Sequence, residues 1–416
     1  MRDRALSVLA GSIASGVLLV ATAAGASSAV AGGPGSLDPA FGSGGITVTQ
    51  AGAGVGGSHD AVLLSNGDIV VGGDFGMARY LPSGRLDTTF GNQGFAATNF
   101  QTGSGGGGWM TVQPDGKIIW VGNTGDPNGL TSDFAIARYT ANGTPDSSFG
   151  HGGQVTTQFL TPPLQGAQQV AQTAIVQPDG KILVGGYARQ GQSRSAPFQA
   201  ALVRVNPDGA LDSGFGNAGH VLTSGGAGPV TALGLDATGD IFALPAHIEF
   251  GPAGQQITTT PAAITVSSPG NADVLLPGGQ YVHSGSVGVA RRDVDAQVQR
   301  FNPDGSLAWT SPAIDYTGTD GQASDSGSSV AVQANGQTLV GGSHFAGSTL
   351  FGLARVNTDG SLDTAFGSGG VLTTDIPGGF GFSKLLVQPD GKIIGIGSGQ
   401  DGTTGQSELI LARYLG

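Results

Sequence analysis

Short apolar runs separated by tight polar turns recur along the whole chain, a pattern that predicts β-strands. In seven places an apolar run is followed by a turn that closes with Gly and by a second apolar run. The seven turn glycines are Gly67, Gly116, Gly180, Gly239, Gly279, Gly336 and Gly391. Successive glycines are between 40 residues (239 to 279) and 64 residues (116 to 180) apart. The chain is therefore predicted to be a repeat protein with units of this length.

The turns themselves are typical of β-hairpins. Three copies read Val-Gln-Pro-Asp-Gly-Lys-Ile, at residues 112–118, 176–182 and 387–393. Proline presets the φ angle of the second turn position, Asp accepts hydrogen bonds from backbone amides, and Gly supplies a positive φ. Each turn is predicted to join the first and second strands of a unit.

A second motif completes each unit. A strand with Arg near its end is followed by a turn, by Gly-Ser-Leu-Asp-x-x-Phe-Gly or a variant, and by a Thr- and Val-rich strand; clear copies occupy 143–150, 209–216 and 360–367. Four strands per unit correspond to one blade of a β-propeller. The recurring phenylalanines are predicted to fill the seams between neighbouring blades; they are Phe41, Phe90, Phe149, Phe215 and Phe366. The recurring aspartates are predicted to cap the loops, and the recurring arginines to pair with Asp or carbonyl groups of a neighbouring blade.

The two ends of the repeat array complement each other. The last copy stops at residues 411–416, in the third strand of a unit, whereas residues 35–49 supply the loop and fourth strand of a unit that has no other strands. Pairing the two would close the array and remove its open sheet edges. The fold is thus predicted to be all-β, a β-propeller of seven four-stranded blades closed by its N- and C-terminal strands. The units at Gly239 and Gly279 diverge from the repeat, so a count of six or eight blades is an alternative.

The repeated motifs Val-Gln-Pro-Asp-Gly-Lys-Ile, Ala-Arg-Tyr and Gly-Ser-Leu-Asp-x-x-Phe-Gly resemble the delta-60 repeats of secreted bacterial proteins. The resemblance extends over nearly all of residues 33–416. It implies a propeller-like fold and export from the cytoplasm, and it implies no defined reaction.

The N-terminal segment has the composition of a secretory signal peptide. Arg2 and Arg4 precede an apolar stretch from Ala5 to about Ala23, and Ala29-Val30-Ala31 fits a cleavage site. Residues 1–31 are predicted to be this signal, and residues 32–416 a single propeller domain outside the cytoplasm with no membrane span. A membrane anchor is the alternative, although Ser and Gly residues dilute the apolar stretch.

Composition excludes several classes of function. The chain has no Cys, which removes disulfides, thiolate metal sites and Cys nucleophiles. Its formal charge is -12, and without Arg2, Asp3 and Arg4 it becomes -13 (15 basic against 28 acidic residues). Such a surface repels phosphate, so nucleic acid is not an expected partner.

No residue pattern points to a catalytic centre. Each motif Asp and Arg recurs from unit to unit, whereas a catalytic residue is usually placed once, and the six histidines show no metal-binding spacing. We therefore predict no catalytic residue, metal or cofactor. Asp315, Asp320 and Asp325 could offer oxygen ligands to calcium, but their spacing of five residues does not match a calcium loop.

The loops on one face of the propeller vary in length and sequence, and such loops often form the binding surface of repeat proteins. They are predicted to cover residues 123–133, 159–173, 187–198, 315–329 and 398–408. The candidate binding residues are Asp126, Phe159, Tyr187, Arg189, Arg194, Tyr316 and Asp320.

The predicted function is that of a secreted, monomeric binding or scaffold module for an extracellular or cell-wall partner, protein or glycan. A carbohydrate-active hydrolase or lyase on the same scaffold is the alternative. A quinone-dependent dehydrogenase is a third, weaker one, because no repeated Trp-docking motif is present.

Overall fold

The computed structural model describes residues 32–51, 56–74, 76–97, 100, 107–125, 131–160, 167–191, 196–224, 226–236, 238–244, 248–258, 272–276, 278–290, 293–318 and 323–416. The predicted signal peptide lies outside these residues. Within them every regular element is a β-strand, and no helix is long and apolar enough to cross a membrane.

The described strands fall into antiparallel sets of four. The sets of units five and six are joined into one eight-stranded sheet by a parallel bridge between Val294 and Ser324. In units one to three the strands are β2 (Ser58–Leu63), β3 (Ile69–Gly73), β4 (Gly76–Tyr80) and β5 (Phe95–Ala97); β6 (Gly107–Val112), β7 (Ile118–Gly125), β8 (Ser132–Tyr139) and β9 (Gln154–Thr157); and β10 (Gln168–Val176), β11 (Ile182–Arg189), β12 (Gln199–Val205) and β13 (His220–Leu222).

Units four and five are the divergent ones. They contain β14 (Ala232–Leu235), β15 (Ile241–Leu244), β16 (Ile248–Phe250) and β17 (Gln256–Thr258), followed by β18 (Ala272–Leu275), β19 (Tyr281–Ala290), β20 (Asp293–Phe301) and β21 (Leu307–Thr310).

Unit six contains β22 (Ser324–Val332), β23 (Thr338–Phe345), β24 (Thr349–Val356) and β25 (Val371–Thr374). The last set contains β26 (Gly379–Val387), β27 (Ile393–Gln400) and β28 (Ser407–Tyr414), and its fourth strand is β1 (Ile46–Gln50) from the other end of the chain. The predicted all-β propeller fold is confirmed.

The first strand of each unit contacts the first strand of the next: β2, β6, β10, β14, β18, β22 and β26 follow one another in this way, and β26 contacts β2. At the junction of the two termini, β1 pairs antiparallel with β28, and Ile46 lies opposite Ala412. A closed ring of seven units requires contacts of this kind; the count of seven and the closure stay predictions.

A bulge in the first strand explains why the second strand carries glycine. The pairing register shifts between Ala171 and Thr173, and equivalent shifts occur in the first strands of units one, two, six and seven. The bulge brings backbone oxygens against the facing strand. A Cβ atom on Gly186 would lie 2.0 Å from the carbonyl oxygen of Val170, and one on Gly342 would lie 1.6 Å from that of Ser326. Glycine is required at both positions by this close approach.

The predicted role of the recurring phenylalanines at the seams is confirmed. Phe90 has no exposed surface, and a Cβ atom on Gly143 of the next unit would lie 2.7 Å from its ring. Phe41, Phe149 and Phe215 meet Gly84, Gly209 and Gly254 in the same way.

The recurring arginines act within and between units. Arg138 donates through Nε to Asp146 of its own unit (2.8 Å), stacks over Phe149 at 4.5 Å, and donates to the carbonyl oxygen of Pro207 in the next unit. The prediction of a carbonyl partner in the neighbouring unit is confirmed. The alternative that the Asp partner also belongs to the neighbour is wrong, because the loop eight residues onward folds back to its own strand.

The aspartates also cap their loops as predicted. In Asp146, Oδ1 accepts hydrogen bonds from the Ser148 amide (3.1 Å) and hydroxyl (2.6 Å), while Lys117 places its Nζ 3.1 Å from Oδ2. We name this arrangement of Arg, Asp and Phe the latch. It recurs at Arg79–Asp87–Phe90, Arg204–Asp212–Phe215, Arg355–Asp363–Phe366 and Arg413–Asp38–Phe41.

We expect the thermal stability to decrease as the pH falls below about 4. Hydrogen bonds from Ser148 hold the pKa of Asp146 well below its usual value; burial opposes this, and Lys117 and Arg138 add to the lowering. Burial alone would raise the pKa of the other latch aspartates, but their hydrogen bonds and cations outweigh it, so that the pKa is lowered at Asp38, Asp87, Asp212 and Asp363.

A carboxylate with a lowered pKa stabilises the fold above its unfolded-state pKa of about 3.9, and this contribution is lost as the pH falls through the lower folded value. Burial raises the pKa of Asp133, Asp325 and Glu408, so protonation of these three has the opposite sign and offsets part of the loss. Melting curves from pH 7 to pH 2 show whether the destabilisation by the latch aspartates outweighs the opposite effect of these three groups. A melting temperature that stays constant down to pH 2 would contradict it.

Candidate binding face

The up-and-down order of the strands gives the ring two different faces. First-to-second and third-to-fourth turns lie at one end of the strands, and this end carries the repeated motifs. Second-to-third loops and the connections between units lie at the other end, which we name the variable face. Strands extend further into it than the sequence predicted: Tyr187 and Arg189 belong to β11, and Ser324 to Ser329 belong to β22. At these strand ends the backbone pairing continues, although apolar and polar residues no longer alternate in the sequence.

Two of the predicted binding residues lie together on the variable face of unit three. The Arg189 guanidinium lies 5.1 Å from the ring centroid of Phe198, and Tyr187 meets the same ring edge-on at 4.9 Å. Arg189 also donates to the side-chain oxygen of Gln168 at 2.5 Å. Burial raises the pKa of the Tyr187 hydroxyl, while the Arg189 charge opposes the shift. The two side chains and Phe198 form a half-buried, positively charged aromatic cluster.

Phe159 is engaged in packing between units. Its ring meets Phe134 at 4.8 Å and His220 at 5.0 Å, both edge-on, and its backbone amide donates to the side-chain oxygen of the buried Gln169. The structure therefore places Phe159 at the edge of the core beneath the variable face.

Tyr316 is buried. Its ring lies against Gly352, where a Cβ atom would be 2.4 Å from the ring, and its hydroxyl donates to the carbonyl oxygen of Ser326 at 3.3 Å. Burial also raises the pKa of this hydroxyl strongly. Tyr316 thus holds the connection between units five and six in place. The other predicted binding residues, Asp126, Arg194 and Asp320, lie outside the described residues.

Sequence reasoning missed three exposed apolar side chains on this face. Val289, Phe345 and Phe380 are 46%, 54% and 59% exposed and belong to units five, six and seven. Phe345 ends β23 and Phe380 is the second residue of β26. A Cβ atom on Gly381 would lie 2.5 Å from the Cβ of Ser343, which brings these two strand ends together.

A comparison between copies could have identified one of these positions. Counted from the start of the second strand, Phe345 stands where other units have Gly125, Arg189 and Gln400. Among these four units, only unit six has a large apolar residue at this position. Such a departure from the repeat indicates a residue that the packing of the fold does not require.

Three of the six histidines pair with aspartates. His283 Nδ1 lies 2.8 Å from Asp273 Oδ1, His344 Nδ1 lies 2.8 Å from Asp325 Oδ1, and His59 contacts Asp74. Each pair joins residues 10 to 19 positions apart in the sequence. Around His344 a third ligand, Asp315, completes a group of side chains that could hold a metal ion.

A depression of about 350 Å³ lies at the opposite end of units two and three. Two neighbouring Pro-Asp-Gly turns line it, with Gln113, Pro114, Gln177 and Pro178 among its residues. Its walls come from the repeated motif, so it is distinct from the variable face.

Five segments match the family model described as "Domain of unknown function (DUF5122) beta-propeller": residues 64–90, 113–149, 177–215, 333–366 and 388–415. This chain is a β-propeller repeat protein. The matched segments of the propeller lie in units one, two, three, six and seven, which are the units with the clearest repeats. No curated protein matches the sequence.

Several solved structures resemble the propeller. Catalytically inactive virginiamycin B lyase from Staphylococcus aureus with quinupristin is 9% identical, with a TM-score of 0.45 and coverage of 88% of this chain and 98% of that chain. A gluconolactonase from Xanthomonas campestris is 13% identical (TM-score 0.37; 94% and 99% covered). A polysaccharide lyase, the ulvan lyase of family PL25, is 11% identical (TM-score 0.42; 87% and 95% covered). These similarities do not bear on the chemistry of this chain.

Proposed function

We propose that this propeller is a secreted binding or scaffold module that recognises an extracellular or cell-wall partner, protein or glycan, through its variable face. Export follows from the predicted signal peptide, and we assign the repeats to the delta-60 type on their motifs. The protein acts as a monomer and needs no membrane span once the signal is removed.

Three exposed apolar side chains on the variable face carry this proposal. Val289, Phe345 and Phe380 come from three consecutive units, and the two phenylalanines are more than half exposed. Burying an aromatic ring in an interface contributes about 1.5–3 kcal/mol, and rings of this kind stack on the apolar face of a sugar or fill a pocket of a protein. The strand ends that carry Phe345 and Phe380 meet, and packing within the protein does not require either exposed ring, which favours a partner at this place.

We expect the double variant Phe345→Ser/Phe380→Ser to bind its partner at least tenfold more weakly, since about 1.4 kcal/mol of lost burial already gives that factor. The protein would be screened against isolated cell walls, cell-wall polysaccharides and secreted proteins, and the affinity for each hit measured by titration. Leu307→Ser is the matched control, because Leu307 is 52% exposed but follows a turn on the opposite face. Equal loss in both variants, or no loss in the double variant, would refute the assignment of the face.

The alternative is a carbohydrate-active hydrolase or lyase. Its one supporting observation is that ligand oxygens of Asp315 and Asp325 lie within 4.8 Å of each other, which is no farther apart than the roughly 5 Å between the carboxyl groups of retaining glycosidases. Asp325 is fully buried, however, so a sugar could not reach it. Turnover of a bound glycan would favour this alternative over a purely binding role.

A further inference from the structure

Three side chains from different parts of the chain meet at the variable face of unit six. Asp315 lies on the connection from unit five, Asp325 is the second residue of β22, and His344 is on β23. One ligand atom from each lies within 4.8 Å of the other two. The residues are two carboxylates and an imidazole.

Packing fixes all three positions. Asp325 and His344 are direct partners in the register of β22 and β23. Asp315 stands between two buried neighbours: Ile314 exchanges backbone hydrogen bonds with Ala296 of β20, and Tyr316 is wedged against unit six. Such preorganisation reduces the entropy that a bound ion would have to overcome.

The second oxygen of Asp325 has no hydrogen-bond partner. The side chain is fully buried, and Oδ1 receives His344 Nδ1, but no donor reaches Oδ2 within hydrogen-bond distance and angle. A buried carboxylate with an unsatisfied oxygen and a second carboxylate beside it is costly unless a cation compensates both.

Asp315 keeps an oxygen available for such a cation. Its Oδ1 accepts hydrogen bonds from the amides of Thr317 and Gly318, both at 2.8 Å, and from the Thr317 hydroxyl at 3.1 Å. These bonds orient the carboxylate and leave Oδ2 as its second acceptor. The residue is only half-buried, so it gives the cluster access to solvent.

We propose that Asp315, Asp325 and His344 bind one divalent transition-metal ion, Zn²⁺ or Mn²⁺. Imidazole nitrogen favours zinc and other transition metals over Ca²⁺ and Mg²⁺, and carboxylates are ligands of both zinc and manganese. Two ligands at about 2.1 Å from one metal lie roughly 3.0 Å apart in octahedral geometry and roughly 3.4 Å apart in tetrahedral geometry. The 2.8 Å between His344 Nδ1 and Asp325 Oδ1 is closer to the octahedral value. Three protein ligands leave a coordination position for water or a ligand.

The ion would lie next to the exposed ring of Phe345. His344 directly precedes Phe345, so the metal would fix the end of β23 that presents this ring. It would also tie the connection from unit five to the first two strands of unit six.

The test is to strip the purified protein with a chelator, to titrate it separately with Zn²⁺, Mn²⁺, Ca²⁺ and Mg²⁺ by calorimetry, and to count retained metal after dialysis. We expect one equivalent of Zn²⁺ or Mn²⁺ and a melting temperature raised by several degrees at saturating metal. Binding of Co²⁺ as a spectroscopic substitute should give visible bands that change in His344→Gln. Absence of a stoichiometric ion, or binding of Ca²⁺ or Mg²⁺ alone, would overturn the proposal.

Variants separate a metal site from a structural ion pair. Asp315→Asn and Asp325→Asn should each weaken binding at least tenfold, and Asp315→Asn is the safer variant because Asp315 is half-buried on a connecting loop. Asp273→Asn is the matched control, since His283 and Asp273 form the same 2.8 Å contact without belonging to a group of three ligands among the described residues. It should keep full metal binding. Unchanged binding in Asp315→Asn, or equal loss in Asp273→Asn, would show that the cluster is not the site.

Discussion

Deletion of residues 33–50 is expected to unfold the propeller, or at least to lower its melting temperature by more than about 10 °C. The deletion removes β1, of which all five residues pair with β28. At roughly 0.5–1.5 kcal/mol for each backbone hydrogen bond, the lost ladder accounts for about 3–7 kcal/mol. Loss of the buried Phe41 adds about 1.5–3 kcal/mol. The sum is comparable to the total stability of roughly 5–15 kcal/mol that natural domains have.

The deletion also breaks the latch that joins the two ends of the chain. Asp38 accepts from Arg413 Nε at 3.0 Å and has Lys392 Nζ at 3.2 Å, and Arg413 donates to the carbonyl oxygen of Pro82 in unit one. Without Asp38, the nearly buried Arg413 would keep its charge with no carboxylate partner. The lost contacts therefore extend from the sheet of unit seven to its seam with unit one.

A circular permutant is the control for this deletion. It begins after residue 55 and carries residues 33–50 behind Gly416 on a flexible linker, so that the same strand reaches β28 from the other side. We expect it to regain most of the lost melting temperature, measured by circular dichroism. A deletion variant that melts with the intact protein would mean that β1 does not hold the array together.

The repeated half of each unit could be predicted from the sequence because local chemistry determines it. A Pro-Asp-Gly turn between two apolar runs determines which residues pair in the hairpin. Arg and Phe recur at the same separation in each unit because each copy contacts an equivalent neighbouring unit. The end of the chain could be predicted in the same way, since a third strand without a fourth leaves an open edge that β1 fits.

The variable face could not be predicted to the same depth. Tyr187 and Arg189 looked like loop residues because strands there pair through the backbone without apolar alternation. Tyr316 looked exposed, but its ring fills the space that Gly352 leaves. The contact between Asp325 and His344 depends on the length of the hairpin between them, and the contact with Asp315 depends on how unit five joins unit six. No local sequence motif determines either of these two contacts.

We expect Asp146→Ala to cost about 3–5 kcal/mol of folding free energy, the usual loss when one partner of a buried ion pair is removed. The side chain of Asp146 is 10% exposed and that of Arg138 is 5% exposed, so Arg138 would stay buried without its carboxylate. Its remaining contacts, the Ser148 hydroxyl, the Pro207 carbonyl oxygen and the Phe149 ring, carry no negative charge to compensate it.

The matched control uses the same lysine. Lys117 lies 3.1 Å from Asp146 and 3.6 Å from Asp115, whose side chain is 55% exposed. Water screens the exposed pair, and the hydrogen bond that Asp115 Oδ1 accepts from the Lys117 amide (3.1 Å) adds about 0.5–1.5 kcal/mol, so Asp115→Ala should cost no more than about 2 kcal/mol. Urea unfolding at pH 7 measures both, with the midpoint as the primary readout because a repeat protein of this length need not unfold in two states. Similar midpoints for the two variants would refute the latch as a source of stability. A much lower midpoint for Asp146→Ala would establish that the carboxylate shared by Arg138 and Lys117 stabilises the fold.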